Sequence, residues 1–304
     1  MDTYPCVQFH PLFSFNKVGH KENPFIFLKG LRRSRPVSHN LEIEALSKMS
    51  QSQPGDMLVK KVSIRNRHAE KLVGLLHDTG SPDIAVLCHG FRSSKSFMKN
   101  IAAALEKEGI SAFRFDFSGN GESEGEFHYG HYQKEADDLH SVVEHFIGEK
   151  RRVVAILGHS KGGSVVILYA SRYHDVEKVI NVSGRYDLRK GIAERLGEDY
   201  LDRIKKEGFL DVKNKAGEVQ YRVTEESLMD RLNTDLHKAC LQIDKGCRVF
   251  TIHGSNDDII PVEDAFELDK VIQNHKLHII EGASHDFMAH QDDLISTAVS
   301  FIKE

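Results

Sequence analysis

Gly158-His159-Ser160-Lys161-Gly162-Gly163 stands between two apolar runs, Arg152 to Leu157 before it and Ser164 to Ala170 after it. A strand, a G-x-S-x-G turn and a helix in that order form a nucleophile elbow. The turn is sharp enough to strain the serine backbone and push Oγ outward. Gly158 and Gly162 leave room for strand and helix to approach each other, and the following helix begins with free N–H groups that can hold an anion. The chemistry this predicts is nucleophilic acyl transfer through Ser160.

A serine hydroxyl attacks near pH 7 only if a base takes its proton, and the base must itself be oriented. Two later stretches supply the partners. Arg248 to Ile252 reads as a strand running into His253-Gly254-Ser255-Asn256-Asp257-Asp258, which puts a carboxylate just past a strand end. Lys276 to Ile280 reads as the next strand and runs into Glu281-Gly282-Ala283-Ser284-His285-Asp286. Asp257 and His285 are therefore the expected orienting acid and base, with Asp258 left open as a substitute for its neighbour. An oxyanion hole needs two backbone N–H donors. Lys161, after the nucleophile, supplies one; Phe91, in the loop His89-Gly90-Phe91 after the apolar run Ile84 to Cys88, supplies the other. His159 and His89 read as supporting residues, His253 as the end of its strand, and Asp286 as a surface or supporting group.

Other chemistries are disfavoured. Gly119-Asn120-Gly121-Glu122-Ser123-Glu124-Gly125 has Glu124 where a dinucleotide fingerprint needs glycine, and its glutamates would repel phosphate. It reads as a structural turn. Gly158 to Gly163 lacks the Gly-Lys-Ser/Thr of a phosphate loop, and no H-E-x-x-H or cysteine cluster offers a zinc site. No cofactor and no metal is expected.

The elements that must position these groups begin at Met57. Leu58–Ile64 and Lys71–His77 read as an antiparallel hairpin, and Ile84–Cys88 as a strand buried on both faces. A helix is expected over Ser96–Glu108, a strand over Ile110–Phe117 and a helix over His131–Ile147. After the elbow come a strand at Lys178–Val182, the strand at Arg248–Ile252, a helix at Glu263–Ile272, the strand at Lys276–Ile280 and a closing helix over Phe287–Ile302. The alternation implies an α/β fold, an eight-stranded mostly parallel sheet with helices on both faces. It breaks between about residues 186 and 241. There Leu188–Glu207 and Glu225–Leu236 read as helices flanking a hairpin across Asn214–Gly217, expected as an inserted cap over the strand ends.

Residues 1–55 hold five of the chain's seven prolines and the basic cluster Lys29-Gly30-Leu31-Arg32-Arg33-Ser34-Arg35. They are expected to be a disordered extension or a transit peptide, with residues 56–304 as the folded domain. The expected compartment is the cytoplasm, or a plastid or other organelle if the extension is a transit peptide. A net charge of −4 without a basic block in the folded part argues against nucleic acid as a partner. No apolar run reaches the roughly 20 residues of a membrane span. Cys6, Cys88, Cys240 and Cys247 show no metal-type pairing and read as buried thiols. The oligomeric state is left open.

From about Lys61 onward the chain resembles the α/β-hydrolase superfamily, in particular the branch holding feruloyl/cinnamoyl esterases, monoacylglycerol lipases and serine aminopeptidases. The resemblance rests on His89-Gly90-Phe91, Asp116 to Gly125, Gly158 to Gly163, His253-Gly254 with Asp257 and Pro261, and Gly282 with His285. It implies the triad Ser160, His285 and Asp257 in the chain order such triads take. Lys161 departs from the pattern, since relatives often carry Gln or Met there. The expected activity is hydrolysis of a small or medium soluble ester through an acyl-enzyme. Peptidase, thioesterase, acyltransferase or lyase activity on the same triad stays open, as does a ligand-binding or signalling role on the same scaffold.

Overall fold

The computed structural model describes residues 59–304. The expectations for residues 1–55, and for Cys6, lie outside the described residues. The hairpin forms first, as β1 (Val59–Arg65) and β2 (Lys71–His77). β3 (Asp83–Cys88), α1 (Lys99–Lys107), β4 (Ser111–Phe115) and α2 (Tyr132–Gly148) follow. The elbow strand is β5 (Arg152–His159), and α3 (Lys161–Tyr173) and β6 (Lys178–Val182) come after it.

The excursion between β6 and the next sheet strand holds α4 (Ala193–Leu196), α5 (Tyr200–Glu207), β7 (Phe209–Lys213), β8 (Val219–Thr224), α6 (Glu225–Asn233) and α7 (Leu236–Gln242). β9 (Arg248–Gly254), α8 (Glu263–Val271), β10 (His275–Ile280) and α9 (Gln291–Lys303) complete the fold.

Eight strands form one sheet in the order β1-β2-β4-β3-β5-β6-β9-β10, and β7-β8 pair separately. β2 runs antiparallel to both β1 and β4, while every pair from β4 to β10 is parallel. The parallel strands are almost continuously apolar because both faces are covered. On one face α2 and α3 bury Val142, Phe146, Val165 and Tyr169 against Phe113 and Phe115. On the other, α1 and α9 bury Leu105, Phe301 and Ile302 against Leu87, Leu157 and Phe250. No helix among the described residues is long and apolar enough to cross a membrane.

Several element ends differ from expectation for local reasons. α1 starts at Lys99 rather than Ser96, because Lys95 is drawn onto Asp116 through its backbone N–H at 2.7 Å and its Nζ at 2.5 Å. The helix expected over Leu188–Glu207 splits into α4 and α5 at Gly197, where φ is +94°. The helix expected over Glu225–Leu236 stops at Asn233, and Asp235 caps a new one by accepting the Lys238 N–H at 3.0 Å. α9 begins at Gln291 because Phe287 takes φ +52° inside a turn. Cys88, Cys240 and Cys247 are buried, unbridged thiols.

Candidate active site

Ser160 sits between β5 and α3 with φ +56° and ψ −118°, a region that costs a non-glycine residue about 1–3 kcal/mol. Its N–H is held by the Val182 carbonyl at 2.8 Å. The flanking glycines are needed for space. A Cβ at Gly158 would lie 2.1 Å from the Gly162 carbonyl oxygen, and one at Gly162 would lie 2.5 Å from that of His89.

β9 and β10 end at the same sheet edge as β5, and the loops beyond them bring the partners together. His285 Nε2 lies 2.9 Å from Ser160 Oγ, and His285 Nδ1 lies 2.7 Å from Asp257 Oδ2. With Nδ1–H donating to the carboxylate, Nε2 keeps its lone pair toward the serine hydroxyl. The other Asp257 oxygen accepts the N–H groups of Ile259 and Ile260 at 2.9 and 2.8 Å. Burial pushes the Asp257 carboxyl up, but hydrogen bonds from His253, His285 and Ile260 outweigh it and hold the group well below the usual carboxylate range. Asp258 is exposed and makes no such contact, so the geometry selects Asp257 of the two neighbours. His253 donates from Nε2 to the Ile260 carbonyl at 2.9 Å and packs beside Asp257. Asp286 is exposed.

The His159 ring packs against that of His285, with centroids 4.8 Å apart. Its Nε2–H donates to the His285 carbonyl at 2.9 Å and its ring stacks on Phe97. Burial and the neighbouring His285 push its pKa down to about 3, so it is neutral.

The loop after β3 packs directly on the elbow. A Cβ at Gly90 would lie 3.0 Å from Ser160 Cβ. His89 Nδ1–H donates to the Gly90 carbonyl at 2.8 Å, while its Nε2 accepts the Phe117 N–H at 3.1 Å. In a trans peptide the carbonyl and the following N–H point in opposite directions. By fixing the Gly90 carbonyl, His89 therefore fixes the direction of the Phe91 N–H. Neither the Phe91 nor the Lys161 N–H is engaged by another group among the described residues. Phe91, Ser160 and Lys161 line one cavity.

The loop Gly119–Gly125 is a structural turn. Gly119, Gly121 and Gly125 all take positive φ, and a Cβ at Gly121 would lie 2.2 Å from the buried Asp116 carboxylate.

Sequence reasoning missed the partner of Lys161. Its Nζ is buried, 2.6 Å from Glu135 Oε1 on α2, with side chains 5% and 8% exposed. Burial pushes the Glu135 carboxyl up to about 7 against the opposing pull of Lys161. A signal existed: Glu135 lies four residues before Leu139 and seven before Val142, on the apolar face of its helix. Also missed were Arg185, Arg195 and Arg231, which line a cavity of about 40 Å³ together with Ser160, Phe91 and Lys161. A larger cavity of about 690 Å³, lined by Asp83, Arg152, Lys178 and Arg248, opens where the strands begin. That is the opposite edge from the one where ligands of open α/β sheets gather.

Comparisons with known proteins agree with this architecture. The family described as "Serine aminopeptidase, S33" matches residues 81–206. A monoacylglycerol lipase of Mycolicibacterium smegmatis is 26% identical over 132 residues, 40% of this chain and 47% of the lipase. The chain thus spans about half the length of that curated relative, and 30% of a second one from Mycoplasma pneumoniae. Among solved structures, Est1E from Butyrivibrio proteoclasticus with ferulic acid bound superimposes with a TM-score of 0.68 at 22% identity, covering 79% of this chain and 97% of that one. The Pyrococcus furiosus esterase Pf2001 superimposes with a TM-score of 0.61, also at 22% identity, covering 81% and 90%. With this sheet order, these loop positions and these likenesses, the chain has the α/β-hydrolase fold.

Proposed function

We propose that the chain is a serine hydrolase that cleaves a small or medium carboxylic ester through an acyl-enzyme. The observation that carries this is the unbroken relay of Ser160 Oγ, His285 and Asp257, at 2.9 and 2.7 Å. His285 Nε2 takes the hydroxyl proton as Oγ attacks the carbonyl carbon. The Phe91 and Lys161 amides receive the developing negative charge. The tetrahedral species collapses by breaking the bond to the alcohol oxygen, which takes the proton from His285. Water then attacks the acyl-Ser160 ester with His285 again as base, releasing the carboxylic acid. Asp257, held ionised by its hydrogen bonds, stabilises the imidazolium that forms twice in the cycle.

Residues 186–241 act as the cap of this site. Support comes from Gly191, Arg195 and Arg231, which lie in the excursion yet line the cavity with Ser160. Its aromatic residues do not form a greasy landing surface. Tyr221 packs edge-on against Phe91 and Phe127 instead. A soluble ester therefore fits better than a lipid aggregate.

The test is labelling by a fluorophosphonate probe, wild type beside Ser160→Ala, followed by turnover of matched esters, thioesters and amides. Labelling in wild type only, with esters cleaved fastest, supports the proposal; labelling that survives the substitution rejects Ser160 as nucleophile. A second reading, amide cleavage, is favoured by the aminopeptidase family that matches residues 81–206. Amides cleaved in preference to esters would establish it in place of the first.

A further inference from the structure

The cavity beside Ser160 is walled by cations, and they are unequally compensated. Arg185 follows β6, Arg195 lies in α4 and Arg231 in α6, and with Lys161 they line the space. Lys161 is neutralised by Glu135. Arg185 gives one N–H to the Ile259 carbonyl at 2.8 Å and has Asp264 only at 4.0 Å. Gly191, at φ +72°, lets the chain run against that guanidinium, since a Cβ there would lie 2.8 Å from it.

Arg231 is 6% exposed and donates from Nε and one terminal nitrogen to the Leu188 and Lys190 carbonyls, at 2.8 and 3.1 Å. Arg195 lies over the Phe91 ring, 4.7 Å from its centroid. Neither Arg195 nor Arg231 has a carboxylate within 4.0 Å among the described residues. The other carboxylates nearby are already engaged: Asp230 accepts the Tyr132 N–H and Asp264 the Tyr186 N–H, both at 3.1 Å.

A buried guanidinium without a countercharge is costly, and two carbonyl dipoles leave part of the Arg231 fork free. The planar fork matches a carboxylate. The cavity of about 40 Å³ has room beside Ser160 for a small polar group. We infer that Arg195 and Arg231, supported by Arg185, bind a carboxylate carried by the substrate beside the ester that Ser160 attacks. This inference rests on the esterase reading above. It defines the substrate class as anionic esters, with the acid on either the acyl or the alcohol side.

The test compares kcat/KM at pH 7 for three esters. They are 4-nitrophenyl hydrogen glutarate (acid on the acyl side), 4-carboxyphenyl valerate (acid on the alcohol side) and the neutral 4-nitrophenyl valerate. At least one anionic ester should exceed the neutral one by roughly tenfold or more, the scale of one charge-assisted hydrogen bond, and which one tells the side. In Arg195→Gln that ratio should fall toward one. Arg195 is exposed, so its loss does not threaten the fold, and Arg231→Lys, which keeps the charge of the buried residue, should retain part of the preference.

A neutral ester cleaved as well as or better than both anionic ones would overturn the inference while leaving the esterase reading intact. If no ester turns over, or Ser160→Ala still hydrolyses them, the esterase reading fails instead. Calorimetric titration with glutarate then decides the site alone. Binding by the wild type that weakens in Arg195→Gln supports the inference, and no binding up to about 10 mM, a limit well beyond the millimolar affinity of a few kcal/mol, overturns it.

Discussion

Removing Glu135 alone from the Lys161–Glu135 pair should cost far more than removing both members. The two groups meet at 2.6 Å with side chains only 5% and 8% exposed, and the second Glu135 oxygen has no partner among the described residues. Desolvation is therefore nearly complete while satisfaction is partial, and burial pushes Glu135 up to about 7 despite the adjacent ammonium. Glu135→Leu would leave an ammonium in an apolar setting, whereas Lys161→Met would leave a carboxyl group that burial drives to its neutral form. Breaking a buried pair in this way costs about 3–5 kcal/mol, whereas replacing both members by apolar groups of similar size ranges from neutral to stabilising by 1–4 kcal/mol. For a domain of this size Glu135→Leu should melt roughly 6–20 °C lower, at 2–4 °C per kcal/mol, and Lys161→Met, which leaves a neutral acid, should lose less. The double variant should return to the wild-type midpoint or above it. Urea unfolding of all four proteins, with m-values compared, measures the coupling directly. Additive losses, with the double variant worst of all, would refute the reasoning.

Three further outcomes are expected. Gly162→Ala should abolish activity and destabilise the chain, because the new Cβ meets two backbone carbonyl oxygens at 2.5 and 2.9 Å; a variant with wild-type melting would contradict the packing described for the elbow. Asp257→Asn should lower kcat by roughly 10⁴-fold, the cost of holding the base in the wrong tautomer, while Asp258→Asn, on an exposed residue, should change it little. Stability should fall on acidification below about pH 6.5, because burial holds His89 near 4 and His159 near 3, so the unfolded chain binds more protons throughout that window. At pH 5 the two histidines together should contribute a slope of about 2.5 kcal/mol per pH unit. In His159→Gln that slope should shrink by about half, and an unchanged slope would refute the assignment.

The motifs of the candidate site were legible because each is local. Ser160, Asp257 and His285 all sit one turn past the end of an apolar run, and the parallel sheet brings those ends to one edge. His89 was legible as a support for the loop, but the way it does so depends on Phe117, from another strand's loop. The Lys161–Glu135 pair joins residues 26 positions apart on two helices, and no local rule couples them. Arg195 and Arg231 lie in helices of the excursion, where no local pattern ties them to Ser160. Arg231 nevertheless follows the buried Leu228 by three positions, and its helix turns it inward. The helix breaks at Gly197 and Asp235 follow from a positive φ and a side-chain cap, both of which the polar, periodic sequence around them masks.

The central claim is that Ser160 accepts the acyl group. Rapid mixing of the chain with excess 4-nitrophenyl acetate, followed by acid quench and mass analysis of the peptides, tests it directly. A burst of about one nitrophenolate per chain is expected, with a single acetyl group on the peptide bearing Ser160, and neither in Ser160→Ala. A burst that persists in Ser160→Ala, or acetylation at another residue, would contradict it.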